Sequence, residues 1–324
     1  MNSSTKKILS ICIKVTILGL ASLYIYNKLN DNSNIKDFKE LLNSLDPESV
    51  VLVISSLFLL MFLNWFLEAL KWKFLVQKIE VITKWKAVES VFCGLTWAVF
   101  TPNRIGEFGG RVFFLSPNRR IKGAVIMTVG TIGQMVLTNV LGLLALSWFL
   151  FRFMDLNPFL HLSIFIFALV FSGYLLLFFF NIHWINGLLS RIRFLKRYRR
   201  FFIIFSKFNF KELLKVLIYC FSRILVFSTQ YFLVFRLLIP EIYPLDIVLM
   251  MFVIFFVQSS IPSLDLFDLG IRATTAAYFF SFVTDQEIAV MAAVASIWLI
   301  NLIIPAILGS VFVLKLNFFG SPRN

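Results

Sequence analysis

Charge is scarce in this chain. Asp, Glu, Lys and Arg make up 15% of its 324 residues, where a soluble domain carries about a quarter. That shortage excludes an ordinary water-soluble globule. Cysteine and histidine are scarcer. Cys12, Cys93 and Cys220 each sit inside an apolar run with no partner spacing, so they read as small buried hydrophobes rather than disulfides or metal ligands. Two isolated His, His161 and His183, do not make a metal site. GxSxG, HExxH and P-loop patterns are missing, which leaves no recognisable catalytic motif and no nucleotide site. No cofactor is expected.

What is present is apolar. Hydrophobic residues make 59% of the chain and the mean hydropathy is +0.87. Long apolar segments run at 8–27, 50–70, 123–150, 158–180, 213–239 and 286–314. Such runs suit a hydrocarbon core of about 30 Å. They predict an all-α integral membrane protein, one polytopic domain over 1–324. The 40 Phe read as lipid-facing packing. Behind Lys6 and Lys7 the first segment shows no small-x-small cleavage site, so it is expected to remain as a helix, with Lys14 snorkelling or facing the bundle.

The basic residues set the orientation. The connection 71–86 has five Lys and one Glu, and 181–212 has eight basic residues against one acid. Residues 28–49 carry three Lys against five acids, and 240–246 and 284–287 carry only acids. The basic stretches belong in the cytoplasm and the acidic ones outside, with both termini cytoplasmic and the plasma (inner) membrane as the site. The run "RIRFLKRYRR" at 191–200 is accounted for by this bias and by anionic lipid, so no nucleic-acid partner is expected.

Two pieces are too short or too broken to cross once: 88–101 and 247–283. The first starts from a basic connection and leads to Arg119, Arg120 and Lys122, so it enters and leaves on one side. The second lies between acidic ends, so it enters and leaves on the other. The expected architecture is about six transmembrane helices plus two re-entrant helical hairpins, the alternative being eight transmembrane helices. Residues 8–150 and 158–314 then form an inverted repeat. Broken helices at a repeat interface are a recurring transporter architecture, and re-entrant backbone survives only against protein or a watery cavity.

The hairpins share a pattern. "TPNRIGEFGGRVFFL" at 101–115 holds Pro102, then Glu107, Gly109 and Arg111; "IPSLDLFDLGIRATT" at 261–275 holds Pro262, then Asp268, Gly270 and Arg272. Each Pro ends an incoming helix and can start the returning one. That helix aims its positive dipole end inward. An acid four residues before an Arg lies on the same helical face, and the Gly between them permits close approach of backbone or ligand. These acid–Arg pairs are either salt bridges at the surface or part of a substrate path, since intramembrane charge is costly and marks such paths.

On these residues the chain resembles the transmembrane, flippase-like part of the lysylphosphatidylglycerol synthase family, through Pro102, Arg104, Gly106, Glu107 and Arg111 and through its segment layout. The second stretch keeps Pro262 and Gly270 but lacks the paired Gly of the family pattern. The resemblance implies a stand-alone membrane branch, without the soluble aminoacyltransferase domain of full-length members, that moves lipid between leaflets. Candidate substrate-binding residues are Arg104, Glu107, Arg111, Asp265, Asp268, Arg272 and Arg223; candidate hinges are Pro102, Gly106, Gly109, Pro262 and Gly270. Arg223 lies deep in its segment, where Glu68 or Glu89 is its structural partner or a phosphate its ligand. Gln134, Asn139, Gln258 and Asn301 are mid-membrane amides that suit interhelical glue.

Three functions remain open at this level. One is a flippase for a phospholipid or other lipid-linked amphiphile, such as a polyprenyl-linked lipid, with membrane lipids as partners. Another is a head-group-modifying membrane enzyme using Asp265 and Asp268 as metal ligands. The last is a non-transporting accessory to a lipid-modifying enzyme.

Overall fold

The computed structural model describes residues 40, 43, 45–99, 101, 104–185, 187, 199–260 and 268–313. The expected first segment, 8–27, lies outside them, as do residues 191–198 of the basic run. The described residues are helical and contain no strand. Among the described residues, five helices are long and apolar enough to cross a membrane.

Helix α1 (Pro47–Val76) starts where the Asp46 carboxylate accepts the Ser49 N–H at 2.9 Å and Pro47 takes the first turn. Its 30 residues span about 45 Å. The helix therefore runs past the apolar core of the segment, and Lys71, read above as part of a cytoplasmic connection, lies inside it and is buried. Next come α2 (Lys84–Val99), α3 (Ile105–Val112) and α4 (Arg120–Phe153), the last entered through a 3-10 turn at Pro117–Arg119. Helix α5 (Pro158–Phe180) is capped by Asn157, which accepts the Phe159 N–H at 2.9 Å. It buries only Ala168, Ser172 and Phe179 and leaves most of its Phe and Leu outward. An apolar surface of that kind is stable against lipid, not water.

Helix α6 (Phe210–Leu238) opens with a reciprocal cap. The Glu212 N–H donates to Asn209 Oδ1 at 3.0 Å while the Asn209 N–H donates to Glu212 Oε2 at 3.1 Å. Helices α7 (Pro244–Ser260), α8 (Asp268–Phe280) and α9 (Glu287–Trp298) follow. A π-helical stretch, Leu299–Ile303, joins α9 to α10 (Ile304–Val313), so the expected last crossing is one helix with a π segment inside it.

Contacts between connections fix which helix ends lie together. Ser116 N–H donates to Glu80 Oε2 at 3.0 Å, Arg119 donates to the Ile79 carbonyl, and Lys78 pairs with Glu212. Trp85 and Phe312 meet edge to face. The end of α1, both ends of the α2–α3 pair, and the starts of α4 and α6 are therefore at one end of the bundle, with the end of α10. At the other end Gln286 donates to Glu241, and Phe282 packs on Phe149 and Phe153. The α2–α3 pair leaves and returns at the first end and α7–α8 at the second, as the hairpin reading expects.

Two glycines make the first hairpin possible. A β-carbon at Gly110 would stand 2.6 Å from Gly94 Cα, so α2 and α3 touch backbone to backbone. Beyond the hairpins, the interlock crosses the chain's midpoint. Helix α2 packs on α10, where a β-carbon at Gly309 would meet the Phe92 carbonyl at 2.0 Å. Helix α7 packs on α4, where a β-carbon at Gly142 would meet Phe256 Cβ at 2.3 Å. Helices α1 and α6 pack on each other between these pairs.

Candidate functional site

Polar side chains of the bundle converge on a partly open cavity of about 460 Å³. Its walls come from α1, α3, α4, α6, α7, α8, α9 and the π-helical stretch. On α1, Asn64, Glu68 and Lys71 are spaced by four and three residues and so share one helical face. All three are buried.

Glu68 is the hub. It accepts from Lys71 at 2.7 Å, from Arg111 at 2.7 Å, and from Arg223. Arg111 is 1% exposed and also binds Glu107, one turn earlier on α3. Its guanidinium thus joins α3 to α1 through two carboxylates. Glu107 is ion-paired in addition with Arg104, whose Nε lies 3.2 Å away. Arg223 donates from Nε to Asn64 Oδ1 at 2.9 Å and lies over the Trp65 ring at 5.2 Å. A buried charge that lost these partners would carry a desolvation cost of several kcal/mol.

Arg104 caps α3 with φ 57° and ψ 25°, the left-handed region. That conformation costs a non-glycine residue about 1–2 kcal/mol. It aims the side chain at Glu107 and the cavity wall. Just beyond, Gly106 N–H donates to Thr101 Oγ1 at 2.7 Å. A β-carbon at Gly106 would meet the Trp97 carbonyl at 2.3 Å. On the opposite side Arg272 of α8 donates to Gln258 Oε1 of α7 at 3.3 Å. The π-helical stretch holds Asn301 in place: its carbonyl accepts Trp65 Nε1–H at 3.2 Å. Three amide atoms in the wall, Gln134 Oε1, Gln258 Nε2 and Asn301 Oδ1, have no hydrogen-bond partner among the described residues.

Of the site residues expected from sequence, Arg104, Glu107, Arg111, Arg223 and Arg272 all line this cavity. Glu107 and Arg111 do pair as spaced, but deep in the bundle and with Glu68 as a third member, so the reading as a surface salt bridge does not apply there. Glu68, not Glu89, is the partner of Arg223. Pro102, Pro262 and Asp265 lie outside the described residues, as does the side chain of Asp268, although α8 begins there. Close approach across the mid-motif glycine is found at Gly109, where a β-carbon would come 3.3 Å from the Trp97 ring. At Gly270 a β-carbon would meet nothing within 4 Å among the described residues, and the adjoining residues 261–267 lie outside them. Asn139 takes no part: it donates to the Met135 carbonyl of its own helix. Sequence reading missed Asn64, Trp65 and Lys71; the four-three spacing with Glu68 was the signal that could have found them.

A helical bundle with lipid-facing Phe, two helical hairpins from opposite ends and a charged interior cavity defines a multi-pass membrane protein with an internal polar site. The chain belongs to the family described as the lysylphosphatidylglycerol synthase TM region, which it matches over residues 11–309. Membership ties it to lipid modification or transport at a membrane. No curated protein and no solved structure matches the chain.

Proposed function

We propose that this protein moves a phospholipid or similar amphiphile between the leaflets of the plasma membrane. The observation that carries the reading is the cavity of about 460 Å³ with Glu68, Glu107 and five cationic side chains inside an otherwise apolar bundle. That size falls among small-ligand pockets, roughly 300–1,000 Å³. Maintaining so many charges away from water is costly, and such groups mark a substrate path. A lipid needs a polar route for its head group while its tails stay in lipid.

The packing supports an inverted repeat over 8–150 and 158–314. The incoming limb of each hairpin packs on the last helix of the other half through a glycine: Gly309 against Phe92 and Gly142 against Phe256. The second helices of the two halves, α1 and α6, pack on each other. Each of these relations maps onto its counterpart when the halves are exchanged. Opposed hairpins around one cavity can open it to one face and then the other. The basic end, with Lys78, Lys86, Arg119 and Arg120, is then cytoplasmic, and both termini lie there.

Reconstitution tests this. Purified protein in liposomes should speed leaflet exchange of fluorescent phospholipid without ATP, read by dithionite quenching. Exchange no faster than in protein-free liposomes, across anionic, zwitterionic and polyprenyl lipids, would overturn the reading and favour an accessory to a lipid-modifying enzyme.

A further inference from the structure

We propose that residues 299–305 form a hinge on which α10 and the first hairpin move as one unit, and that the Trp65 indole of α1 latches it. The hinge rests on packing and hydrogen bonding alone; its use in moving lipid rests on the transport reading.

The backbone breaks there for a reason in the sequence. In an unbroken α-helix the Asn301 carbonyl would accept the N–H of residue 305. Pro305 has no N–H, and its ring crowds the carbonyl four residues back. Just before it the helix loosens. The Ile304 N–H donates to the Leu299 carbonyl, five residues back, beside the π-helical stretch Leu299–Ile303. Prolines and π-bulges are where helices bend. The matching helix of the first half, α4, runs unbroken for 34 residues. A bend is therefore built into one half and not into the other.

The crowded carbonyl is caught from outside its own helix. Trp65 Nε1–H donates to it at 3.2 Å, and both residues are buried. Asn301 holds a second acceptor as well: its Oδ1 is buried and has no hydrogen-bond partner among the described residues. Arg223 lies over the Trp65 ring at 5.2 Å, so a group that displaces Arg223 from the cavity wall acts on the latch through that ring.

Packing defines what each side of the hinge carries. Before it, α9 packs on α6 and α8. Beyond it, α10 packs on α2, where Gly309 meets the Phe92 carbonyl and the Thr96 hydroxyl donates to the Ala306 carbonyl at 2.7 Å. Helix α2 is in turn joined to α3 backbone to backbone at Gly94 and Gly110. Helix α1 touches both groups and carries the latch. Bending at 299–305 moves α10, α2 and α3 together against α6, α8 and α9, as a hinge of a few residues does. Glu107 and Arg111 travel with the moving unit, so the cavity wall moves too.

Spin labels on the purified full chain test this without any transport step. Cys12, Cys93 and Cys220 are replaced by Ala. Labels go on Ser310→Cys of α10, Lys211→Cys of α6 and Lys84→Cys of α2, all exposed positions. Pulsed electron-spin measurements read the distances in pairs. The 310–211 pair crosses the hinge, and the 310–84 pair lies within one unit and should keep one distance. Trp65→Phe keeps the ring under Arg223 and removes only the N–H. It should enlarge the share of a second 310–211 distance about two- to tenfold, the effect of one hydrogen bond. Pro305→Ala returns a backbone donor to the Asn301 carbonyl. It should narrow the 310–211 distribution and cancel the effect of Trp65→Phe in the double variant. A Trp65 that only fills space would give a shift that Pro305→Ala leaves intact, which would overturn the latch. Pro305→Ala places a better helix former in the chain and carries the test alone if Trp65→Phe does not fold. An unchanged 310–211 distance in every chain, or an equal spread in the 310–84 pair, would overturn the hinge. A moving hinge without leaflet exchange would sink the transport reading alone, and leaflet exchange with a rigid 310–211 pair would overturn the hinge alone.

Discussion

At the scale of single residues, Arg111 differs from the other cavity arginines. Its guanidinium is paired with both Glu68 and Glu107 and so bridges two carboxylates. Arg111→Gln leaves two buried carboxylates short of a partner, so it should destabilise the fold by about 3–5 kcal/mol, seen as a large drop in thermal stability in detergent. Exchanging the pair, Glu107→Arg with Arg111→Glu, does not restore it. The new carboxylate would stand where Arg111 now meets Glu68 at 2.7 Å, and two acids at that distance repel. A surface pair would tolerate the exchange, so normal stability of the double variant would refute the buried-clamp role. The residues of the cavity were legible in the sequence where a charge stood alone in an apolar run, as with Arg223, or in the repeated acid–Arg motif, as with Arg111 and Arg272. Lys71 was not, because it sits beside a Lys-rich connection and its count there hid its position on the helix.

At the scale of elements, the first hairpin depends on contact between backbones. Gly110→Val sets a branched side chain where even a β-carbon would be 2.6 Å from Gly94 Cα. That exceeds ordinary overpacking, which costs about 1–3 kcal/mol, and the variant should not yield a monodisperse protein by size-exclusion chromatography. Gly270→Ala is the control: its surroundings are open among the described residues, and folding should be unaltered. The hairpins could be read from the sequence because their length and the sign of their flanking charges leave few other routes. The helices they pack against could not. Gly309 and Gly142 carry no periodic mark, and a close approach is a property of two surfaces that no single stretch records.

For the whole molecule, the order of synthesis meets the order of packing. Helix α2 leaves the ribosome well before the helix it packs on, α10, since the contacting residues Thr96 and Ala306 are 210 residues apart. Until then the Thr96 hydroxyl lacks the Ala306 carbonyl that it reaches at 2.7 Å, and the face later covered at Gly309 is open to lipid. Re-entrant backbone is tolerated only against protein or water. The half-made chain must therefore wait in the bilayer with its first hairpin unfinished, a natural target for membrane proteases and insertion chaperones. A chain ended at residue 286 should expose a cysteine introduced at 96 to membrane-permeant thiol reagents, while the longer chain shields it. Equal labelling of both would mean that the hairpin closes without its partner.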